Sequence, residues 1–506
     1  MNHLPVIPVL LPLATAALLL FWPGLGVAGR RLLALGATLA GLFVALLLVG
    51  AVADGTIFAY ALGGWRAPFG IVLVADRLSA TMVLLLQLLA LPALLAACRG
   101  LDEAGRHFHP LFQLQLAGIA GAFLTGDLFN LFVFFEILLI ASYALLVHGG
   151  GAERTRAALP YVVLNLLGSS LFLVALGLVY GTLGTLNLAD IADILPDVPP
   201  ADVALVRVAL VTMALVFLLK AAVLPMGFWL PHVYSAASAP VGALFAILTK
   251  VGIVSLLRVS LIALPESAAG DGLLRPWLPA LALLTLVGGM VTVLAARRLA
   301  TIAAGLVLVS SGTLLFAVAD ARADATAALL FYLPHTTLAT AGLFLLAGAI
   351  ATARGAEEDR LVRGATMPRA LPLGIAFAAL AVAATGLPPL SGFLGKLMLM
   401  QGAGRGTWQW AWWAMLLASG LVGALVLARA ASLLFWEPRE APPAGAVTAG
   451  WGVPLAALVL ASPVLTLAAS PVSRWSRDTA EQLHAREIYV SAVLGTAEGV
   501  TRERRP

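Results

Sequence analysis

Charge is the scarcest feature of this 506-residue sequence: 11% of its residues are Asp, Glu, Lys or Arg, where a soluble globular chain carries about 25%. Hydrophobic residues make up 61%, and a membrane crossing needs about 20 of them in a row. No stretch of mixed polarity is long enough to fold as an aqueous domain, so the chain reads as an all-α polytopic membrane protein. Cysteine is absent but for Cys98, which excludes a disulfide framework, a cysteine-built zinc site and an iron–sulfur cluster held by this chain alone. No Ser-His-Asp, His-Glu-x-x-His or dinucleotide pattern occurs, and Gly395-Lys396 lacks the rest of a phosphate loop. No cofactor and no nucleic-acid partner is therefore expected. No cluster of carboxylates marks a dehydrated metal site. The apolar run from Leu4 to Phe21 has no basic segment before it and no small-residue cleavage site, so it is expected to stay as a first helix.

Lysine is nearly absent. Of 30 Lys plus Arg residues, only Lys220, Lys250 and Lys396 are lysine. The arginines fall mainly in short connections or at helix ends, whereas each lysine lies within an apolar run. A desolvated lysine can release its proton and arginine cannot. A site that must take up and give back a proton needs lysine, and three buried places retain it.

Hydropathy marks about fourteen helices, near residues 4–22, 31–51, 71–98, 110–125, 128–148, 160–182, 203–224, 238–262, 275–295, 301–319, 325–350, 371–401, 409–433 and 450–470. Four regions follow: 1–109 with helices one to three, 110–262 with four to eight, 263–433 with nine to thirteen, and 434–506 with the last helix and a tail. Arg30/Arg31, Arg99/Arg106, Arg154/Arg156, Arg297/Arg298, Arg354/Arg360/Arg363/Arg369 and Arg429/Arg439 then fall on one side. By the positive-inside rule both termini face away from the cytoplasm. The tail, with Arg474, Arg477, Arg502, Arg504 and Arg505, fits that rule badly and is expected to lie on the surface against a partner.

Two helices look interrupted. In the seventh, Lys220 precedes Pro225 and Pro231; in the twelfth, Gly386-Leu-Pro-Pro-Leu-Ser-Gly392 precedes Lys396. Proline removes a backbone donor, which hydrocarbon tolerates only where protein or a water-filled cavity lines the gap. Breaks at matching places in two groups of five helices point to a transport site built from repeats.

Glu136 sits eight residues into the fifth helix. An ionisable group at the bilayer centre costs roughly 2.5–3.5 kcal/mol, so Glu136 and three lysines need partners or water. A static ion pair is the bland account, but one carboxylate cannot neutralise three lysines. His335 adds a group that titrates near neutrality. Thr336, Thr337 and Thr340 beside it, with Ser310 and Ser311 on the preceding helix, supply hydroxyls that could hold water. Asn165 and Ser169 share a face of the sixth helix, for packing or for water contact. His232 lies in the connection after the first break, as a solvated loop residue or a gate. Asp76-Arg77 reads as a local, outward-facing pair, and Asp127 as the start of the fifth helix, where a carboxylate suits the helix dipole.

Three segments carry a resemblance. Gly126-Asp-Leu-Phe-Asn-Leu-Phe-Val-Phe-Phe-Glu136, Phe228-Trp-Leu-Pro-His-Val-Tyr-Ser-Ala-Ala-Ser-Ala-Pro-Val-Gly-Ala-Leu-Phe245 with Leu248-Thr-Lys-Val-Gly252, and Leu387-Pro-Pro-Leu-Ser-Gly-Phe-Leu-Gly-Lys396 resemble the proton-conducting antiporter-like subunits shared by respiratory complex I and Mrp-type cation/proton antiporters. The resemblance spans helices three to thirteen. It implies about 14 transmembrane helices containing two inverted five-helix repeats with broken helices 7 and 12. It also implies roles: Glu136 and Lys220 match the family's carboxylate–lysine pair, Lys250 and His335 its central relay, and Lys396 its terminal proton site. Length and the Gly126–Glu136 wording resemble the D-type subunits of Mrp antiporters, whose partners would be A, B, C, E, F and G type membrane subunits. His232 stands where the family more often has a small residue.

The expected function is proton transfer along a mid-membrane Glu/Lys/His relay, coupled to Na⁺ or K⁺ exchange in a bacterial cytoplasmic membrane. Charged Glu136 favours protonated Lys220; separating the two sends the proton through Lys250 and His335 toward Lys396. The chain is then a transporter subunit and no enzyme. Two rival readings are a proton-pumping subunit of a redox-driven complex and a scaffold whose partners conduct the ions.

Overall fold

The computed structural model describes residues 3–22, 24–264, 269–270, 272–320, 322–364, 366–404, 406–436 and 450–495. Arg439, Arg502, Arg504 and Arg505 lie outside the described residues. After a short 3₁₀ turn come α1 (Ile7–Phe21), α2 (Val27–Ala51), β1 (Phe58–Ala61), β2 (Val72–Ala75) and α3 (Arg77–Ala97). The first group of five apolar segments follows: α4 (Phe108–Leu124), α5 (Leu128–Val147), α6 (Ala152–Leu183), α8 (Val203–Lys220), and α10 (Ala239–Phe245) with α11 (Leu248–Arg258). Short α7 (Leu188–Ile194) and α9 (Leu230–Ala236) lie in its connections. The second group is α12 (Leu278–Ala295), α13 (Leu299–Asp320), α14 (Ala323–Arg354), α15 (Ala370–Thr385) with α16 (Ser391–Gly402), and α17 (Gln409–Ala431). The described chain closes with α18 (Gly452–Leu467), α19 (Ala469–His484) and α20 (Arg486–Leu494).

Eleven helical segments among the described residues are long and apolar enough to cross a membrane, or twelve if α18 and α19, bent by 80°, count as one. Shorter apolar α4 and α15 complete the expected order. α13 and the α10–α11 segment are fully enclosed, whereas α2, α6, α12 and α17 each present rows of exposed large apolar side chains. Apolar residues on every side of a helix suit both places: against neighbours inside, against lipid outside.

Both expected breaks are present, one in the fourth segment of each group. α8 stops at Lys220, and Pro225, without an N–H, cannot extend it. α15 stops at Gly386, whose φ of 77° only glycine adopts without strain, and Pro388 and Pro389 follow. A third interruption carries no proline or glycine: at Ala246 and Ile247 the hydrogen bonds tighten to Ala243 and Leu244, dividing α10 from α11 just before Lys250. In α14, Pro334 lies inside the helix next to His335.

The arginine-rich connections gather at one end. Arg31 clasps Asp102 at 2.6 and 2.9 Å, and Arg99, Arg154 and Arg298 line a common cavity there. α4 leaves that end while α12 runs toward it, so the two groups of five have opposite senses. The other end carries the antiparallel β1–β2 hairpin, with Phe58 opposite Ala75 and Ala61 opposite Val72, and both ends of the described chain: His3 meets Tyr60 at 3.0 Å. The described part of the tail, α19 and α20, lies on its own chain. Trp475 Nε1 donates to Thr81 at 2.8 Å, Arg77 N donates to Gln482 Oε1 at 3.0 Å, and Thr326 meets His484 at 3.1 Å.

One local expectation fails. Asp76 is buried, and it pairs with Arg258 of α11 at 2.8 Å while forming a capping box with Ser79. Arg77 turns away to the carbonyls of Ala53 and Asp478. A cap needs the Asp76 side chain to fold back over the helix start, so neighbours in sequence point apart. Asp127 caps α5 as expected, accepting from Asn130 N at 2.8 Å.

Candidate functional site: a buried axis of lysines, a glutamate and a histidine

α5, α6 and α8 assemble the first cluster. The Ser169 hydroxyl donates to Glu136 Oε1, and Lys220 Nζ donates to Ser169 Oγ at 3.4 Å. The same ammonium reaches the backbone oxygen and Oδ1 of Asn165, each at 3.4 Å, and sits 5.8 Å from the centre of the Phe135 ring. Lys220 is buried and Glu136 half-buried. No direct Glu136–Lys220 ion pair forms: Ser169 stands between them. Asn165 and Ser169 thus do more than pack α6.

Lys250 is fully buried on α11 and donates to Thr249 Oγ1 at 3.3 Å. Gly252 sets how near α11 comes to the end of α8: a β-carbon there would lie 2.6 Å from Ala221 N and 2.9 Å from the carbonyl carbon of Lys220. On its other side α11 packs against α13, where the hydroxyls of Ser310 and Ser311 are buried with no hydrogen-bond partner among the described residues.

The second broken segment builds the last cluster. His335 Nδ1 lies 2.8 Å from Ser391 Oγ, which lies 2.7 Å from Ser462 Oγ of α18. Gly392 makes the approach possible, since a β-carbon there would sit 2.1 Å from Ala383 O and 2.8 Å from His335 Nε2. Lys396 Nζ donates to the Thr385 backbone oxygen at 2.8 Å. Thr385 is the last residue of α15, so the cation rests at the negative end of a helix whose terminal carbonyls the break has freed. The ideal β-carbon position of Gly420 on α17 lies 3.0 Å from that ammonium.

The remaining candidates divide. Thr336, Thr337 and Thr340 are buried, and the last two donate to Leu333 O and Thr336 O of their own helix at 2.8 and 2.7 Å. His232 is exposed in α9, outside the buried axis. Sequence reasoning missed Ser391, Ser462 and Thr385. Ser391 was visible in the Pro-Pro-Leu-Ser-Gly run; nothing local marks the other two. Cys98, Asp102 and His109 bring donor atoms within 4.8 Å of one another. The Arg31 guanidinium already occupies both Asp102 oxygens, and that cation opposes a second one.

The sequence profile described as NADH:quinone oxidoreductase/Mrp antiporter, TM matches residues 125–425. The chain is 38% identical to the D-type component of a probable K(+)/H(+) antiporter from Rhizobium meliloti (strain 1021), over 98% of both chains. It is 35% identical to the D-type component of the Na(+)/H(+) antiporter of Bacillus subtilis (strain 168), over 98% of this chain and 100% of that one. A chain in the structure of the Mrp complex from Dietzia sp. DQ12-45-1b superposes with a TM-score of 0.88 at 27% identity, covering 98% of this chain and 99% of that one. A fold, a pair of broken segments and full-length relatives agree: the chain belongs to the family of NADH:quinone oxidoreductase/Mrp antiporter transmembrane subunits.

Proposed function

We propose that this chain is the proton-translocating subunit of a multisubunit Na⁺ or K⁺/proton antiporter, and that protons move along Glu136, Lys220, Lys250, His335 and Lys396. The observation that carries the reading is the bridge at Ser169: a half-buried acid and a buried base share one hydroxyl instead of neutralising each other. A permanent ion pair would hold its proton. A hydroxyl between the two can donate to one while accepting from the other, and so can pass a proton. Ser310 and Ser311, unpartnered among the described residues, support water on α13 where it packs against the helix of Lys250, since buried hydroxyls without protein partners are satisfied by ordered water. The Thr336, Thr337 and Thr340 oxygens keep acceptor capacity for the same water.

Each of the three lysines adjoins an interruption of its helix, where freed carbonyls can hold a cation that comes and goes, and His335 follows Pro334 inside the continuous α14. A cavity of about 670 Å³ at the arginine-rich end, lined by Arg99, Glu153, Arg154, Ser238, Arg298 and Phe344 among others, supports proton uptake from that end. By the positive-inside rule that end faces the cytoplasm of a bacterial inner membrane, with both termini outside. Regions 110–262 and 263–433 are the two repeats of this reading, flanked by 1–109 and 434–506. Partner membrane subunits follow from Glu136 itself: it is half-buried on a flank of α5 whose Val133 and Ile140 are exposed, and a carboxylate facing lipid would be costly. The relatives' names supply the cation, potassium in one and sodium in the other.

The test is proton flux in inverted vesicles bearing the whole complex, with an imposed proton gradient, no redox substrate, and then Na⁺ or K⁺. Cation-dependent collapse of the gradient, lost in Lys220→Ala with the complex still assembled, is the expected result. Wild-type exchange in purified Lys220→Ala complex would overturn the relay. A gradient built only when an electron donor is supplied would move the chain to a redox-driven complex.

A further inference from the structure

At the arginine-rich end the α12–α13 connection and the segment after α14 are clipped together. Leu299 N donates to Asp359 O at 3.0 Å and Leu361 N to Arg297 O at 2.9 Å, while Ala300 N donates to the Asp359 carboxylate at 2.9 Å. Arg298 fastens the clip, reaching Asp359 at 2.7 Å, Glu358 at 2.9 Å and Glu153 at 3.1 Å. Its charge is spent on these three carboxylates. The clip holds Arg297 and Arg360 close by, and with Arg429 from the last turn of α17 they line a cavity of about 490 Å³. These three arginines are exposed and pair with no carboxylate among the described residues. Among the described residues, the one carboxylate lining the cavity, Glu153, is held by Arg298.

Three guanidinium groups that no described carboxylate neutralises, on a preformed wall, fit the oxygens of a phosphate, which arginine binds in a planar fork. The surroundings choose its source. The rest of the wall includes Leu294, Val362 and Val426, and it continues into the packed pair α12 and α17. Their outer faces expose Val287, Val291 and Leu294 on one helix and Leu421 and Leu425 on the other. A free anion has no use for that apolar extension; a phosphate carrying acyl chains does. Basic pockets between transmembrane helices at the cytoplasmic side suit anionic headgroups. We propose that Arg297, Arg360 and Arg429 bind the phosphate of an anionic phospholipid whose acyl chains lie along α12 and α17. The same α17 carries Gly420 beside Lys396, so a lipid seated here braces the helix that walls the last buried lysine.

The test uses the complete purified complex, stripped of lipid and titrated with phosphatidylglycerol, phosphatidylcholine or inorganic phosphate, reading bound lipid by native mass spectrometry and stability by thermal melting. Phosphatidylglycerol is expected to bind and to raise the melting temperature, and phosphatidylcholine and inorganic phosphate to do neither. Combining Arg297→Gln, Arg360→Gln and Arg429→Gln should weaken the saturable phosphatidylglycerol component by about fivefold for each arginine removed, with complex assembly unchanged; the three Arg→Lys changes should keep most of it. Undiminished binding in the glutamine variant overturns the site, and equal protection by inorganic phosphate or phosphatidylcholine overturns the lipid assignment. A photoreactive phosphatidylglycerol on wild-type complex gives a check without any variant: label on α12 and α17 supports the site, and label only elsewhere refutes it.

Discussion

Lys220 Nζ and Ser169 Oγ stand 3.4 Å apart, and the same hydroxyl donates to Glu136. One small side chain therefore separates the buried base from the half-buried acid. Removing it leaves two charged groups without a shared partner, and a hydrogen bond to a charged group is worth about 1.5–3 kcal/mol. Ser169→Ala should slow cation-driven proton exchange by about tenfold or more, while Ser169→Thr, which keeps the hydroxyl, should retain most of it. Flux in vesicles at equal complex content decides. Equal rates for Ala and Thr variants would remove Ser169 from the path.

His335 is tied to α18 through Ser391 and Ser462. Ser391→Ala breaks both contacts at once and should reduce exchange by roughly three- to tenfold, the effect of one neutral hydrogen bond. Ser462→Ala should cost less, because Ser391 keeps the imidazole. The double variant should match Ser391→Ala alone, since the second serine acts only through the first. Additive losses in flux would mean that the two serines serve separate paths.

Asp76 and Arg258 form a buried pair toward the end that carries the β1–β2 hairpin, 2.8 Å apart. Arg258→Leu strands a buried carboxylate and is expected to destabilise the protein by about 3–5 kcal/mol. Adding Asp76→Leu should recover most of that loss but not the helix cap, worth about 1 kcal/mol. Melting temperatures of the purified complexes measure both. A double variant less stable than Arg258→Leu would show that the cap outweighs the pair.

Asp102 lies between α3 and α4. Burial works against its charge, but the Arg31 guanidinium hydrogen-bonded to it wins and holds the carboxyl below its ordinary value of 3.8. A carboxylate lowered on folding contributes its full stabilisation above that ordinary value and loses it as pH falls through the lower folded one. Wild-type complex should therefore lose melting temperature below about pH 4. Asp102→Asn should already melt lower at neutral pH and show a flatter acid limb. Parallel acid limbs would rule out this clasp as an acid-sensitive tie.

Short-range chemistry is legible in the order of residues alone. Hydropathy set the membrane class and the order of the apolar segments, because a backbone in hydrocarbon must satisfy its hydrogen bonds within each helix. Proline and glycine marked the breaks after Lys220 and Thr385, because a missing N–H and a left-handed φ disrupt a helix locally, although a lone proline such as Pro334 stays inside its helix. The rarity of lysine singled out three residues before any fold was known. Packing of distant segments settled which groups meet. Ser169 comes between Glu136 and Lys220 only because α6 packs beside both α5 and α8. Asp76 finds Arg258 across 182 residues of chain instead of the neighbouring Arg77, and Ser462 reaches Ser391 from a helix 71 residues further on. The α10–α11 interruption follows the same rule. No proline or glycine announces it at Ala246 and Ile247, and it arises where a fully enclosed helix must fit the neighbours packed around Lys250.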